Sequence, residues 1–199
     1  MNYLAHAYLS FNQPQILVGN MISDFVKGKK QFDYELPVQK GIKLHRAIDS
    51  FTDEHPATKE MKKVFKPAYG LYAGAFADIV YDYFLANDTN EFASTKILEQ
   101  FSLNTYTILE KQIIITPSMF QQMFPYMKSQ DWLSNYRHES AIQKSFAGMT
   151  RRAKYITESD TAFNIFENNI TMMQPCYDEF FPLLKKHAAY TLQELLNND

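Results

Sequence analysis

A single cysteine, Cys176, in a chain of 199 residues rules out an internal disulfide and any cysteine-rich metal site. It suits a reducing compartment, and nothing near it in Gln174-Pro175-Cys176-Tyr177 marks it as a thiol nucleophile. Glycine is scarce at 6 and proline at 8, which favours helices with short connections over a turn-rich β fold. No uncharged apolar run approaches the roughly 18 residues that span a bilayer. The start, Met1-Asn2-Tyr3-Leu4-Ala5-His6, lacks the basic and apolar regions of a signal peptide. Charge of one sign is missing too: 20 Lys+Arg against 22 Asp+Glu leave a net charge of −2, so bulk charge does not point to nucleic acid. There is no glycine-rich phosphate loop, no His-Glu-x-x-His helix, no Gly-x-Ser-x-Gly elbow, and no repeat or low-complexity tract. The expectation is a soluble, cytoplasmic protein with no nucleic-acid or membrane partner and an oligomeric state left open.

What is present is a large apolar payload: 46% hydrophobic and 15% aromatic residues, with 16 Phe and 13 Tyr. That is enough for a buried core, and the length suits one all-helical domain over 1–199. Apolar residues recur every three to four positions, which predicts helices at about 2–11, 14–27, 37–54, 57–65, 69–87, 91–110, 117–127, 129–136, 139–149 and 158–196. Pro14, Pro37 and Pro117 suit first turns. Pro56 ends the central helix at His55, and Pro175 and Pro182 predict breaks in the last one. The region from Ser102 to Pro117 is the expected irregular connection, with Ile113-Ile114-Ile115-Thr116 in a helix end or connection. The fold class is all-α, a single-domain helical bundle.

Three of the five histidines, His6, His45 and His55, fall in the first 55 residues, with carboxylates around them at helical spacing. Neutral imidazole with carboxylate suits Mn, Fe or Zn. Winding the helix from Pro37 at about 100° per residue puts Val38, Gly41, Ile42, His45, Asp49 and Thr52 on one face, with Asp53 at its edge. Lys43, Arg46, Ser50 and Glu54 point away. An unpaired charge beside core residues is costly, so a metal or a simple His45–Asp49 hydrogen bond has to remove the cost. Asp78 and Asp82 lie one turn apart in an aromatic-rich stretch. Two such carboxylates need a cation, a basic neighbour or a shared proton; a salt bridge to an arginine explains them as well as a metal does. Asp24 follows Gly19, whose missing side chain permits close approach of another backbone. Singly, Asp24 reads as a salt-bridge partner, His6 as a core histidine and His55 as a cap. His138 and His187 lie outside these groups. Basic clusters at Lys27/Lys29/Lys30, Lys59/Lys62/Lys63/Lys66 and Arg151/Arg152/Lys154 read as solvated faces unless they surround one cleft.

Several blocks nevertheless resemble one family. They are Asn2-Tyr3-Leu4-Ala5-His6, Gly19-Asn20-Met21-Ile22-Ser23-Asp24-Phe25-Val26-Lys27-Gly28, Gly41 through Asp53, Asp78-Ile79-Val80-Tyr81-Asp82-Tyr83-Phe84-Leu85, Tyr136-Arg137, and Gly148-Met149-Thr150-Arg151-Arg152. In this order they resemble the acyl carrier protein phosphodiesterase family, itself similar in fold to HD-type metal-dependent phosphohydrolases. The resemblance implies hydrolysis of the phosphodiester joining 4′-phosphopantetheine to a serine of holo-acyl carrier protein, with a divalent metal, Mn²⁺ first and Mg²⁺, Fe²⁺ or Zn²⁺ as alternatives. It implies Asp24, His45, Asp49, Asp78 and Asp82 as candidates for the metal and its water, with Asp24, His45 and Asp82 catalytic. His6, Arg46, Asp53 and His55 then lie in or beside the site. Lys27, Lys62, Lys63, Arg151 and Arg152 would dock the acidic carrier protein, and aromatic residues would line a groove for the pantetheine arm. Arg46 follows His45 where HD proteins carry an adjacent aspartate, and Tyr83 stands where the family often has histidine, so Tyr83 is assigned no catalysis. Two other readings compete: a phosphohydrolase acting on a nucleotide or other small phosphoester, and a non-enzymatic helical module binding an acidic partner.

Overall fold

A computed structural model describes residues 1–197. Among the described residues it is all-α: α1 (Tyr3–Tyr8), α2 (Pro14–Ile22), α3 (Leu36–Glu54), α4 (Pro56–Tyr69), α5 (Ala73–Asn87), α6 (Thr95–Lys111), α7 (Ser118–Ser129), α8 (Trp132–Asn135), α9 (Glu139–Arg152) and α10 (Asp160–Asn197). Short 3-10 helices interrupt the connections at Ser23–Phe25, Gly28–Asp33, Gly70–Tyr72 and Ile113–Ile115. No helix of the described residues is long and apolar enough to cross a membrane.

The centre is α5, which buries residues on all sides, including Phe76, Val80, Tyr81, Phe84 and Leu85. A helix apolar all round is one that other helices enclose; α4, α9, α10 and α1 pack around it. The closest crossing is α2 on α3. A Cβ on Gly19 would lie 2.0 Å from the Val38 carbonyl oxygen, and one on Gly41 would lie 2.3 Å from that of Ile16. Only glycine at both positions lets the two backbones touch, and that contact sets the distance between Asn20 and His45.

Three expectations are corrected. The α2 helix stops at Ile22 rather than 27, and Asp24 sits on the 3-10 turn Ser23–Phe25. Beyond it, the Arg46 guanidinium reaches out from α3 to donate to the Val26 carbonyl at 3.2 Å and to Gln31 Oε1 at 2.9 Å, pinning the non-helical path. The α10 helix, in turn, runs unbroken through Pro175 and Pro182. Both prolines lie on its solvent face, as do Thr171 and Asp178 one turn before them, whose carbonyls lose a helical partner. Water can take that partner's place. The opposite face is anchored by Met173, Tyr177, Phe180, Phe181 and Leu184. The irregular connection expected over 102–117 shrinks to the short stretch after Lys111, because α6 continues to that residue.

Candidate metal centre

Where α1, α2 and α3 meet, His6, His45 and Asp49 bring ligand atoms within 4.8 Å of one another. The two imidazole rings stack, with centroids 3.9 Å apart and planes 14° from parallel. Asp49 Oδ1 lies 3.2 Å from His6 Nε2, and Asp49 Oδ2 lies 3.1 Å from His45 Nε2. Asp24 Oδ1 approaches the same His45 nitrogen at 3.2 Å from the exposed rim.

Asn20 fixes both tautomers. Its amide nitrogen donates to the His6 carbonyl at 2.9 Å and to Ser10 Oγ at 3.1 Å, so Oδ1 must be the atom facing His6 Nδ1 at 2.8 Å. His6 Nδ1 therefore carries a hydrogen, and its Nε2 holds a lone pair. That nitrogen is buried and, despite its nearness to Asp49, has no hydrogen-bond partner. The Asn20 backbone carbonyl accepts from His45 Nδ1 at 2.7 Å, which turns His45 Nε2 toward the carboxylates. A fully buried asparagine has to satisfy all its polar atoms, and this one does so by orienting two histidines. Such partners on the far ring nitrogen are how proteins aim imidazole ligands.

The electrostatics call for a cation between these groups. Burial and the neighbouring His45 hold His6 down to about 4, so it is neutral at physiological pH. Burial also opposes a charge on His45, but Asp24 and Asp49 outweigh it and push His45 up to about 9. Burial would raise Asp49, yet the hydrogen bond with His45 and the Met1 amino group hold its carboxyl well below the usual range. The hydrogen bond with His45 likewise lowers Asp24. A proton on His45 Nε2 neutralises this arrangement; a divalent ion bound by two Nε2 lone pairs and the Asp49 carboxylate neutralises it more completely. By donor chemistry the residues fit Mn²⁺, Fe²⁺ or Zn²⁺.

The match to known proteins covers the same residues. A family model described as acyl carrier protein phosphodiesterase matches residues 1–184. The chain belongs to the acyl carrier protein phosphodiesterase family. Proteins named acyl carrier protein phosphodiesterase resemble it along nearly their whole length. The one from Photorhabdus laumondii is 29% identical over 94% of this chain and 95% of that protein. The one from Yersinia pestis is 27% identical over 96% and 98%, and the one from Serratia proteamaculans 28% over 94% and 97%. No solved structure matches it.

In this member of the acyl carrier protein phosphodiesterase family, the remaining candidates separate into distinct places. Asp78 Oδ1 lies 3.1 Å from the buried Met1 amino group, which is also 3.4 Å from Asp49 Oδ1. Burial disfavours the ammonium, but Asp78 and Asp49 raise it to about 10. Asp82 is not brought into the histidine group. It is fully buried, and its two oxygens accept the Leu4 N–H at 2.7 Å and the Ala5 N–H at 3.2 Å, docking the first turn of α1 on α5. Burial pushes its carboxyl up to about 7 against those donors. His55 accepts from the Ala57 N–H at 3.2 Å and caps α4. Asp53 pairs with Lys62 at 2.5 Å, and Lys63 pairs with Glu60 at 2.6 Å. Lys27 is exposed just beyond Asp24.

A cavity of 780 Å³ lies beside the histidine group rather than over it, between α7, α8 and α9. Arg151 and Arg152 line it. It shares Asn2 and Tyr3 with the small crevice into which His6, Asp24 and His45 open. The candidate metal-ligating atoms lie in the crevice. Asn20 and the Met1 amino group are the participants that residue spacing does not disclose; the one available hint was a lone amide in the otherwise apolar run from Ile16 to Ile22.

Proposed function

We propose that this protein is a cytoplasmic, metal-dependent phosphodiesterase that releases 4′-phosphopantetheine from the serine of holo-acyl carrier protein. The observation that carries the chemistry is the pair of Nε2 atoms, on His6 and His45, aimed by Asn20 at Asp49 and Asp24. The substrate follows from family membership and from the names of relatives matched over nearly their full length. His6, His45 and Asp49 would hold the divalent ion, Mn²⁺ by preference, with Asp24 beside them at the rim. When bound, the ion offsets phosphate charge and makes water a nucleophile near neutral pH.

The chain's own residues do the rest. Asp24, exposed at the rim, orients the attacking water and accepts its proton at a carboxylate oxygen. Attack at phosphorus forms the new P–O bond as the P–O bond to the carrier serine breaks; the serine oxygen takes a proton from solvent, and Asp24 returns the proton it accepted to solvent. Asp82 acts as a positioning residue, because it holds the turn of α1 that presents His6. Asp78, with the Met1 amino group, fixes Oδ1 of Asp49. Arg151, Arg152 and Lys27 face the acidic carrier protein, so the on-rate falls as salt rises. Lys62 and Lys63 contribute less to docking, since each has an acidic partner on its own surface. The test is incubation with Mn²⁺ and holo-carrier protein, followed by intact mass. Loss of the phosphopantetheine mass is expected; an intact holo-protein with turnover of a nucleotide phosphoester instead would overturn the reading.

A further inference from the structure

Gly148 has no backbone reason to be glycine. It lies inside α9 with ordinary helical geometry, whereas Gly28 and Gly70 take positive φ. A Cβ built on it meets nothing closer than its neighbour's Arg151 Nη2 at 3.7 Å, an ordinary contact, whereas one on Gly19 or Gly41 would strike backbone. Glycine inside a helix weakens it relative to alanine. What the missing side chain does provide is space, because Gly148 lines the 780 Å³ cavity beside the histidine group.

That cavity has a definite chemical character. Its volume is within the range of roughly 300–1,000 Å³ typical of small-molecule sites. Met123, Trp132 and Tyr136 give it an apolar wall, and Lys144, Arg151 and Arg152 give it positive charge. No aspartate or glutamate lines it, and no ion pair engages these three cations among the described residues. Tyr3, at the seam with the crevice, hydrogen-bonds Met123 Sδ at 3.3 Å and packs 6.2 Å from Trp132. Arg152 is near enough to the Tyr3 hydroxyl to oppose the effect of burial on it. Arg152 therefore places a positive charge at the Tyr3 boundary with the histidine crevice.

We propose that this cavity seats the pantetheine arm of the substrate, with the arm passing Gly148 along the Met123–Trp132–Tyr136 wall and Arg152 meeting the phosphate at the Tyr3 end. The assignment rests on the function proposed above. A neutral, amide-containing chain with one anionic end matches a cavity with an apolar wall, a cation, Arg152, at its Tyr3 end, and no carboxylate among the described residues that line it. Gly148 is then the residue that sets how bulky an arm can enter.

The test uses Gly148→Leu in the full chain, with 4′-phosphopantetheine and its phosphate-free counterpart, pantetheine, as calorimetric probes. Gly148→Leu is expected to fold, to bind Mn²⁺ like the parent, to lose tenfold or more in affinity for both probes, and to raise KM for holo-carrier protein by a similar factor. Ser145→Leu, one turn earlier on the same wall, is expected to act likewise and covers a failure of the first variant to fold. Arg152→Met is expected to weaken 4′-phosphopantetheine while leaving pantetheine unchanged. Equal binding of the probes to the parent and both cavity variants, or no binding to the parent, overturns the assignment. Cleavage by the parent with an unchanged KM in both cavity variants overturns it while leaving the reaction standing. Probe binding lost in the variants, without cleavage by the parent, overturns the reaction while supporting the cavity.

Discussion

Asn20 does more for the candidate centre than a residue that touches only one of its histidines, since its side chain sets the His6 tautomer and its backbone carbonyl aims His45. Replacing it with alanine leaves His6 Nδ1 without its partner, while the His6 carbonyl keeps the Ser10 hydroxyl. Unsatisfied buried groups cost about 1–3 kcal/mol, and loss of an orienting partner lowers metal affinity about 10–100-fold. Asn20→Ala is therefore expected to lose stability in urea denaturation and, where still folded, to bind Mn²⁺ more weakly in calorimetry. A pH dependence follows from His45. Its folded value of about 9 lies above the ordinary 6.5, so the folded state binds the proton more tightly than the unfolded one. The stabilisation is complete below 6.5 and is lost as pH rises through 9. The Met1 amino group, raised from 8.0 to about 10, adds a loss of the same sign at higher pH. Chelator-treated protein should thus melt at lower temperature as pH goes from 6.5 to 9. Saturating Mn²⁺, which takes the proton's place, should flatten that decline, and His45→Gln should remove its lower part.

At the level of helices, periodicity carried most of the fold, because an amphipathic face leaves its mark every three to four residues. It failed where tertiary contacts overrule local preference. Nothing in Ser23-Asp24-Phe25 announces a helix end; the stop is enforced by Arg46 reaching across from another helix. Pro175 and Pro182 are strong local breakers, yet α10 runs through them because both face water while its other side is clamped by aromatic packing. The α2–α3 crossing was legible in Gly19 only as a permission for close approach; the partner glycine, Gly41, shows why it matters. Gly41→Ala would drive a Cβ to 2.3 Å from the Ile16 carbonyl oxygen. Overpacking of this kind costs about 1–3 kcal/mol. Separating the helices also moves Asn20 from His45, so denaturation midpoint and Mn²⁺ affinity are expected to fall together in this variant.

Across the whole molecule, the site is an assembly of segments far apart in the chain, and spacing within one helix reveals only half of it. His45 and Asp49 were legible as a pair because they lie one turn apart on one face. That His6 joins them depends on α1 folding back against α2 and α5, which no local pattern encodes. The same logic misleads for Asp78 and Asp82: they share a face of α5, but Asp78 meets the Met1 amino group while Asp82 holds the backbone of α1. Buried carboxylates need partners, and here two positive dipoles and an ammonium serve. The central claim is that the His6–His45–Asp49 group is a metal centre that performs the hydrolysis. Its most direct test is intact mass of holo-carrier protein incubated with metal-stripped enzyme, across a Mn²⁺ titration, with His6→Gln run in parallel and checked for folding. The account predicts cleavage that appears only as Mn²⁺ is added, and a folded His6→Gln that needs at least tenfold more Mn²⁺ or stays inactive. Full cleavage by the stripped enzyme, or a His6→Gln titration that overlays the parent's, would contradict it.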